Sequence, residues 1–197
     1  MARLEPLSAA GGDELEETFA FFESTLGFVP NSFLIMQRRP TMVKAMTGLS
    51  AAVYDPAGEV DLGFKRLVGH AASAAAGCQY CRAHTAVSAS RHGIAVEKLE
   101  ALWDYQNSDL YSEREKIALE FALAAASQPN GVTDKLFEQL GAHWSEGEIV
   151  ELLGVVSLFG FFNRWNDSLA TPLEAAPTDI GVKHLAASGW TAGKHGA

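Results

Sequence analysis

The stretch Ala75-Ala76-Gly77-Cys78-Gln79-Tyr80-Cys81-Arg82-Ala83-His84-Thr85 decides how this chain is read. It lies where one helical run ends and another begins. Glu59 to about Ala76 is Ala-rich, with the composition of a helix. Gly77 interrupts it, and Cys78 to Arg91 resumes the pattern until His92-Gly93, where glycine readily takes a left-handed cap conformation. On a helix, Cys78, Cys81 and His84 lie three residues apart along one face. Cα atoms at that spacing are roughly 5 Å apart, within disulfide reach. With Gly77 marking a helix start, the Cys78 sulfur sits at a positive dipole end, which favours thiolate. Arg82 and His84 add cationic or proton-accepting character beside Cys81.

Outward from this point the chain reads as helices. Toward the N-terminus, Leu15, Phe19, Phe22 and Leu26 give Asp13–Gly27 an apolar helical face. Ser32 is placed to cap Phe33–Arg39, and Pro40 fits the first turn of a helix to about Val53. Asp55-Pro56-Ala57-Gly58 is a turn. Toward the C-terminus, Ala95–Tyr105 reads as a short helix. Ser112/Glu115 and Ser145/Glu148 are capping boxes that open helices to about Ser127 and Leu169, with Thr133–Ala142 between them. Strand signals are weak, and no Asn-Gly hairpin joins two alternating runs. The expected class is therefore all-α. The expected organisation is a helical extension over residues 1–30, one helical domain over 31–175, and a Gly/Ala-rich, loosely held tail over 176–197.

Composition narrows the function. With 197 residues, 48% of them apolar, the chain is able to bury a substantial core. A net charge of −9 without a Lys/Arg cluster argues against nucleic acid and against an anionic membrane as partners. No run approaches the roughly 20 apolar residues of a membrane span, and Met1–Gly12 lacks the pattern of a secretory signal, so the expected compartment is the cytoplasm. The long helix opened by Ser145 is apolar nearly all round, from Ile149 to Phe162, so it is expected to be buried on all sides and to serve a homo-oligomer.

Three chemistries compete for the two cysteines. They are packed as small apolar residues, or they hold a metal, or they form a dithiol/disulfide centre. Structural zinc needs four N/S ligands. Only Cys78, Cys81 and His84 are local, and His70 or His92 would have to complete the set, so no metal site is expected. A Cys78–Cys81 bridge closes almost no loop and stabilises little, so a chemical purpose fits it better than a structural one. The dithiol centre therefore ranks first. It is not thioredoxin-like, because no βαβ pattern surrounds it. His70 lies in an apolar helix and reads foremost as a hydrogen-bonded core histidine. Asn163, Arg164, Asn166 and Asp167, at the polar end of an apolar helix, read foremost as an internal network.

On these residues a resemblance stands. Ala75–Thr85 resembles the active-site segment of the carboxymuconolactone decarboxylase-like superfamily, in particular its alkylhydroperoxidase D-like, peroxidase-related branch. Ser112-Glu113-Arg114-Glu115, Val132-Thr133-Asp134, Glu148–Leu152 and Phe162–Asp167 extend the likeness, which covers roughly residues 30 to 175. The resemblance implies an alkylhydroperoxidase D-like helical fold and homo-oligomers. It implies a thiol peroxidase or disulfide reductase that needs no cofactor beyond a redox-active Cys78–Cys81 disulfide, with a hydroperoxide as substrate and a dithiol as electron donor. It implies that Cys81 attacks the peroxide, that Cys78 resolves the sulfenic acid and that His84 belongs to the proton relay. That branch usually carries a glutamate about three turns before the first cysteine. Lys65-Arg66 stands there instead, and Arg66 and His70 are the expected substitutes, tuning the thiol electrostatically or relaying its proton. The alternative from another class is a non-catalytic helical oligomer binding a small hydrophobic ligand or a protein partner. A decarboxylase-type lyase ranks below both, because that enzyme does not rely on a cysteine pair.

Overall fold

The structure is a computed structural model describing residues 2–8, 12 and 14–196, and capping residues and turn glycines divide these described residues into ten α-helices. They are α1 (Glu16–Leu26), α2 (Asn31–Met36), α3 (Pro40–Val53), α4 (Leu62–Ala75), α5 (Gln79–Arg91), α6 (Val96–Glu100), α7 (Glu113–Ala126), α8 (Asp134–Gly141), α9 (Glu146–Leu169) and α10 (Ala175–Ile180). Among the described residues there is no strand, and no helix is long and apolar enough to cross a membrane. Asp13, where the first helix was expected to begin, lies outside the described residues.

Both capping boxes form as read: Ser112 and Ser145 accept from the backbone N–H of Glu115 and Glu148, whose carboxylates return to the serine N–H groups. Other boundaries differ from the sequence reading. Ser32 lies inside α2, whose first residue follows Pro30, because the proline fixes the extended entry and the Ser32 N–H faces the Tyr80 hydroxyl at 3.3 Å. Helix α4 starts at Leu62 rather than Glu59. Asp61 caps it, and the Glu59 and Val60 N–H groups donate to the Glu151 carboxylate. The run expected over Ala95–Tyr105 is α6 followed by a 3₁₀ turn, Leu102–Asp104.

Helix α4 is the centre of the fold. It is buried nearly throughout and packs against α5, α7 and α9. Its small residues, Ala71, Ala72 and Ala74, allow that close approach, and Phe64, Leu67 and Val68 fill the main core with Ile149, Leu152, Val155 and Val156 of α9. The other side of α9 carries Leu158, against which Leu15, Phe19, Phe33, Met36, Val43 and Met46 of the N-terminal layer close a second core. Helix α9 is thus held between two apolar clusters, which explains its all-round apolar sequence. It is not covered everywhere: Val150 is 69% and Leu153 43% exposed in the single chain.

The C-terminal segment corrects the expectation of a loose tail. After α10 the chain runs through a π turn (Gly181–Leu185) and two 3₁₀ turns (Ala186–Ser188 and Gly193–His195). Leu185 and Trp190 belong to the main core, and the Trp190 indole N–H donates to the Gln79 carbonyl at 2.9 Å. Gly181 admits the indole, since a Cβ there would stand 2.5 Å from the ring. The low apolar density of the tail hid two large anchors, and these outweigh the glycines around them.

A buried dithiol and its two histidines

Gly77, at φ +74°, turns the chain between α4 and α5, a conformation that costs glycine little. The turn leaves Cys78 as the N-cap of α5, one position outside the helix in which the sequence placed it. Its sulfur accepts the Cys81 N–H at 3.5 Å, in the way a serine oxygen caps a helix. Both thiols are free and buried, packed with Tyr80 against Phe159, Phe162 and Leu173. The pair is therefore shielded from water and held at the positive end of α5.

The two sulfurs differ electrostatically. A hydrogen bond from the Cys81 thiol holds Cys78 below its ordinary pKa, against burial, and the facing His195 ring and the Cys81 N–H add to the effect. Burial pushes Cys81 well up, as does its donation to Cys78, although the Asn166 amide donates to its sulfur at 3.5 Å. The surroundings thus favour negative charge on Cys78 over Cys81.

Sequence reasoning missed His195. Its Nδ1 faces the Thr171 carbonyl at 2.8 Å, which fixes Nδ1 as the protonated nitrogen and turns Nε2 toward Cys78 and Asp167. Nε2 is 3.6 Å from Asp167 Oδ1, and Lys194 holds the other carboxylate oxygen at 2.7 Å. Burial alone would lower the pKa of His195; the neighbouring Cys78 sulfur, the Thr171 carbonyl and Asp167 raise it. Only the acid Asp167, at the end of the apolar helix, hinted at this cluster; nothing in the Gly-rich surroundings of His195 pointed to a site.

His84, read as the relay residue, has another partner. Its Nε2 is 2.6 Å from Glu174 Oε2, and its ring stacks on Tyr80 with centroids 4.2 Å apart. Glu174 also accepts from the Tyr80 hydroxyl at 3.0 Å and from the Asn31 N–H. Although buried, its carboxyl is kept below the usual range by His84 and by the Asn31 N–H. A carboxylate thus does stand beside the motif histidine, but it comes from the segment after α9 and not from α4.

The two expected substitutes on α4 are engaged elsewhere. Arg66 lies over the Tyr54 ring, 3.4 Å from its centroid. Its neighbour Lys65 is buried in an ion pair with Glu151 at 2.7 Å. His70 Nδ1 meets the Arg82 carbonyl and Thr85 Oγ1, each at 3.1 Å, and burial followed by the Arg82 charge lowers its pKa to about 3. It is a neutral core histidine.

Comparisons with known proteins agree with this architecture. Residues 40–133 match the carboxymuconolactone decarboxylase family. The uncharacterized protein YnjA of Escherichia coli is 31% identical over 97 residues, 49% of this chain and 53% of that protein, so the match spans about half the length of the curated relative. The crystal structure of the debrominase Bmp8 superposes with a TM-score of 0.81 at 34% identity, covering 88% of this chain and 92% of that one. A cysteine-to-alanine variant of Bmp8 in complex with 2,3,4-tribromopyrrole has the same TM-score at 33% identity. An uncharacterized peroxidase-related protein from Ralstonia eutropha shares the fold, with a TM-score of 0.76 at 23% identity over 89% of this chain and 94% of that one.

Proposed function

Because the chain belongs to the carboxymuconolactone decarboxylase family and carries a buried cysteine pair, we propose that it is a dithiol oxidoreductase that reduces hydroperoxides. The observation that carries this reading is the asymmetric pair itself: Cys78 as a capped, hydrogen-bonded sulfur and Cys81 as the thiol donating to it. Cys78 thiolate attacks the terminal peroxide oxygen. The O–O bond breaks, a proton goes to the departing alkoxide, and Cys78 becomes a sulfenic acid. Cys81 thiol then displaces water from that sulfur, giving the Cys78–Cys81 disulfide, and an external dithiol returns two electrons. This order is the reverse of the one the resemblance implies, because the structure stabilises negative charge on Cys78 and opposes it on Cys81.

The test is chemical trapping. Brief exposure of Cys81→Ser to peroxide leaves a sulfenic acid that a dimedone-type probe labels at Cys78. Labelling at Cys81 in Cys78→Ser, with none at Cys78 in the reciprocal variant, restores the opposite order. If wild type keeps both thiols under peroxide, the chain does not reduce hydroperoxides.

A second reading has its own support, the 34% identity to a debrominase over 92% of that protein. The same thiolate would take a halogen from an activated carbon, which receives a proton, and Cys81 would expel halide as the disulfide forms. Bromide release from a bromopyrrole, with loss of two thiols per turnover, separates it from peroxide reduction. Either reaction needs a reducing compartment such as the cytoplasm. For assembly, exposed Val150 and Leu153 are the surface on which we expect a second copy to pack. A stable monomer at micromolar concentration in light scattering would sink that expectation.

A further inference from the structure

The three groups that meet beside the thiol do not form a proton-relay line. In a thiol–imidazole–carboxylate relay the carboxylate stands behind the ring, on the nitrogen away from the sulfur. Here the Thr171 carbonyl occupies that position, and Cys78 and Asp167 both converge on His195 Nε2. Sulfur, carboxylate oxygen and imidazole nitrogen lie within 4.8 Å of one another. His195 is 1% exposed, and its Nε2 has no hydrogen-bond partner. The buried Nε2 thus faces a sulfur and a carboxylate that converge on it, an arrangement that calls for a positive charge shared among the three, whether a proton or a cation.

We propose that the reduced protein binds a thiophilic divalent cation of the zinc type on Cys78 Sγ, His195 Nε2 and Asp167 Oδ1. A tetrahedral ion with bonds of about 2.0–2.3 Å sets its ligand atoms about 3.3–3.8 Å apart. The Nε2–Oδ1 separation of 3.6 Å is already in that range, and a small contraction completes the set. The Thr171 carbonyl supplies the outer contact that orients a metal-binding imidazole, and Lys194 orients the carboxylate through its other oxygen. Thiolate and imidazole together select zinc-type ions over magnesium or calcium. Three protein ligands leave a fourth position open. Asp167, with a side chain 41% exposed, gives the ion its way in.

The consequence for regulation rests on the redox reading above. The cation takes the Cys78 thiolate in place of the hydrogen bond from the Cys81 thiol, and the Cys78–Cys81 disulfide needs the same sulfur. The two states exclude each other, so the cation holds the enzyme reduced and silent, and oxidation releases the cation.

Cobalt(II) titration of the reduced full chain tests the site without any activity assay. A thiolate-to-cobalt charge-transfer band that saturates at one ion per chain, and that zinc displaces, is the expected result. Cys81→Ser keeps the band. His195→Gln and Asp167→Asn each weaken binding by roughly 10-fold or more. Circular dichroism confirms the fold, and if His195→Gln unfolds, the half-exposed Asp167→Asn decides. No band in wild type overturns the proposal, and so does a band lost in Cys81→Ser but unchanged in Asp167→Asn, which would mean binding by the cysteine pair alone. Failure here is separable from failure of the redox reading. A chain that consumes peroxide without binding cobalt lacks the cation site, and one that binds cobalt but never forms the disulfide is not the oxidoreductase.

Discussion

His84 and His195 occupy opposite positions in sequence and in role. His84 follows Cys81 by three residues on the same helix, yet Glu174 holds its Nε2 at 2.6 Å and Tyr80 stacks on its ring. His195 lies near the end of the chain, and its Nε2 is the one that faces Cys78. A shared helix face brings Cα atoms together, but it does not choose a ring's partner. The partner is chosen by whichever acid and carbonyl the tertiary fold supplies, Glu174 for one ring and Thr171 with Asp167 for the other.

The comparison breaks most visibly at the tail anchor. Trp190→Ala removes a buried indole and its bond to Gln79, and denaturant unfolding should show a loss of about 3–5 kcal/mol. A loss below about 1 kcal/mol, the scale of a surface change, would mean the tail is not part of the core. Next in size is the contrast between the rings. His195→Gln removes a group that favours the Cys78 thiolate, so its alkylation curve moves to higher pH by roughly 1–3 units. His84→Gln leaves the curve in place. Equal shifts in the two variants would erase the distinction.

The parts of the molecule that local rules govern were readable from the sequence. The Ser112 and Ser145 boxes, the Gly77 break and the His92-Gly93 stop each follow from a few adjacent residues, and so did the placing of Cys78 and Cys81 in one turn. The surroundings of the sulfurs were not readable. Asn166, Asp167 and His195 reach them from the end of α9 onward, with Thr171 and Glu174 holding the two histidine rings, across separations that no periodicity encodes. The partners of Arg66 and His70 on α4 were hidden for the same reason. One turn of register and a helical face do not reveal that Tyr54 captures Arg66, or that the Arg82 carbonyl captures His70.

The His84 side has its own pH signature. The Glu174 carboxyl is depressed in the folded state, so its contribution is complete above the unfolded carboxyl pKa of 4.5 and is lost as pH falls through the lower folded value. Glu174→Gln should therefore cost roughly 1–2 kcal/mol at neutral pH, as loss of hydrogen bonds to a charged group does. The gap from wild type should narrow on acidification, read as melting temperature against pH. A gap that stays constant through the acid range would mean that Glu174 acts by packing and not by charge.

The smallest effect sharpens the comparison from outside both rings. Arg66 was the cation expected to tune the thiol, but its guanidinium lies 3.4 Å from the centre of the Tyr54 ring. Burial lowers the pKa of Arg66 and raises that of Tyr54 to about 12, so the pair is a charged donor over a neutral aromatic face, a contact that stabilises by packing and quadrupole attraction. Arg66→Ala should thus cost about 0.5–1 kcal/mol of stability, the scale of such a contact, and leave the Cys78 alkylation curve where wild type has it. The two readouts move independently. If the curve shifts to higher pH as it does in His195→Gln, the charge on α4 reaches the sulfur after all, and the thiolate is made jointly by the central helix and the tail.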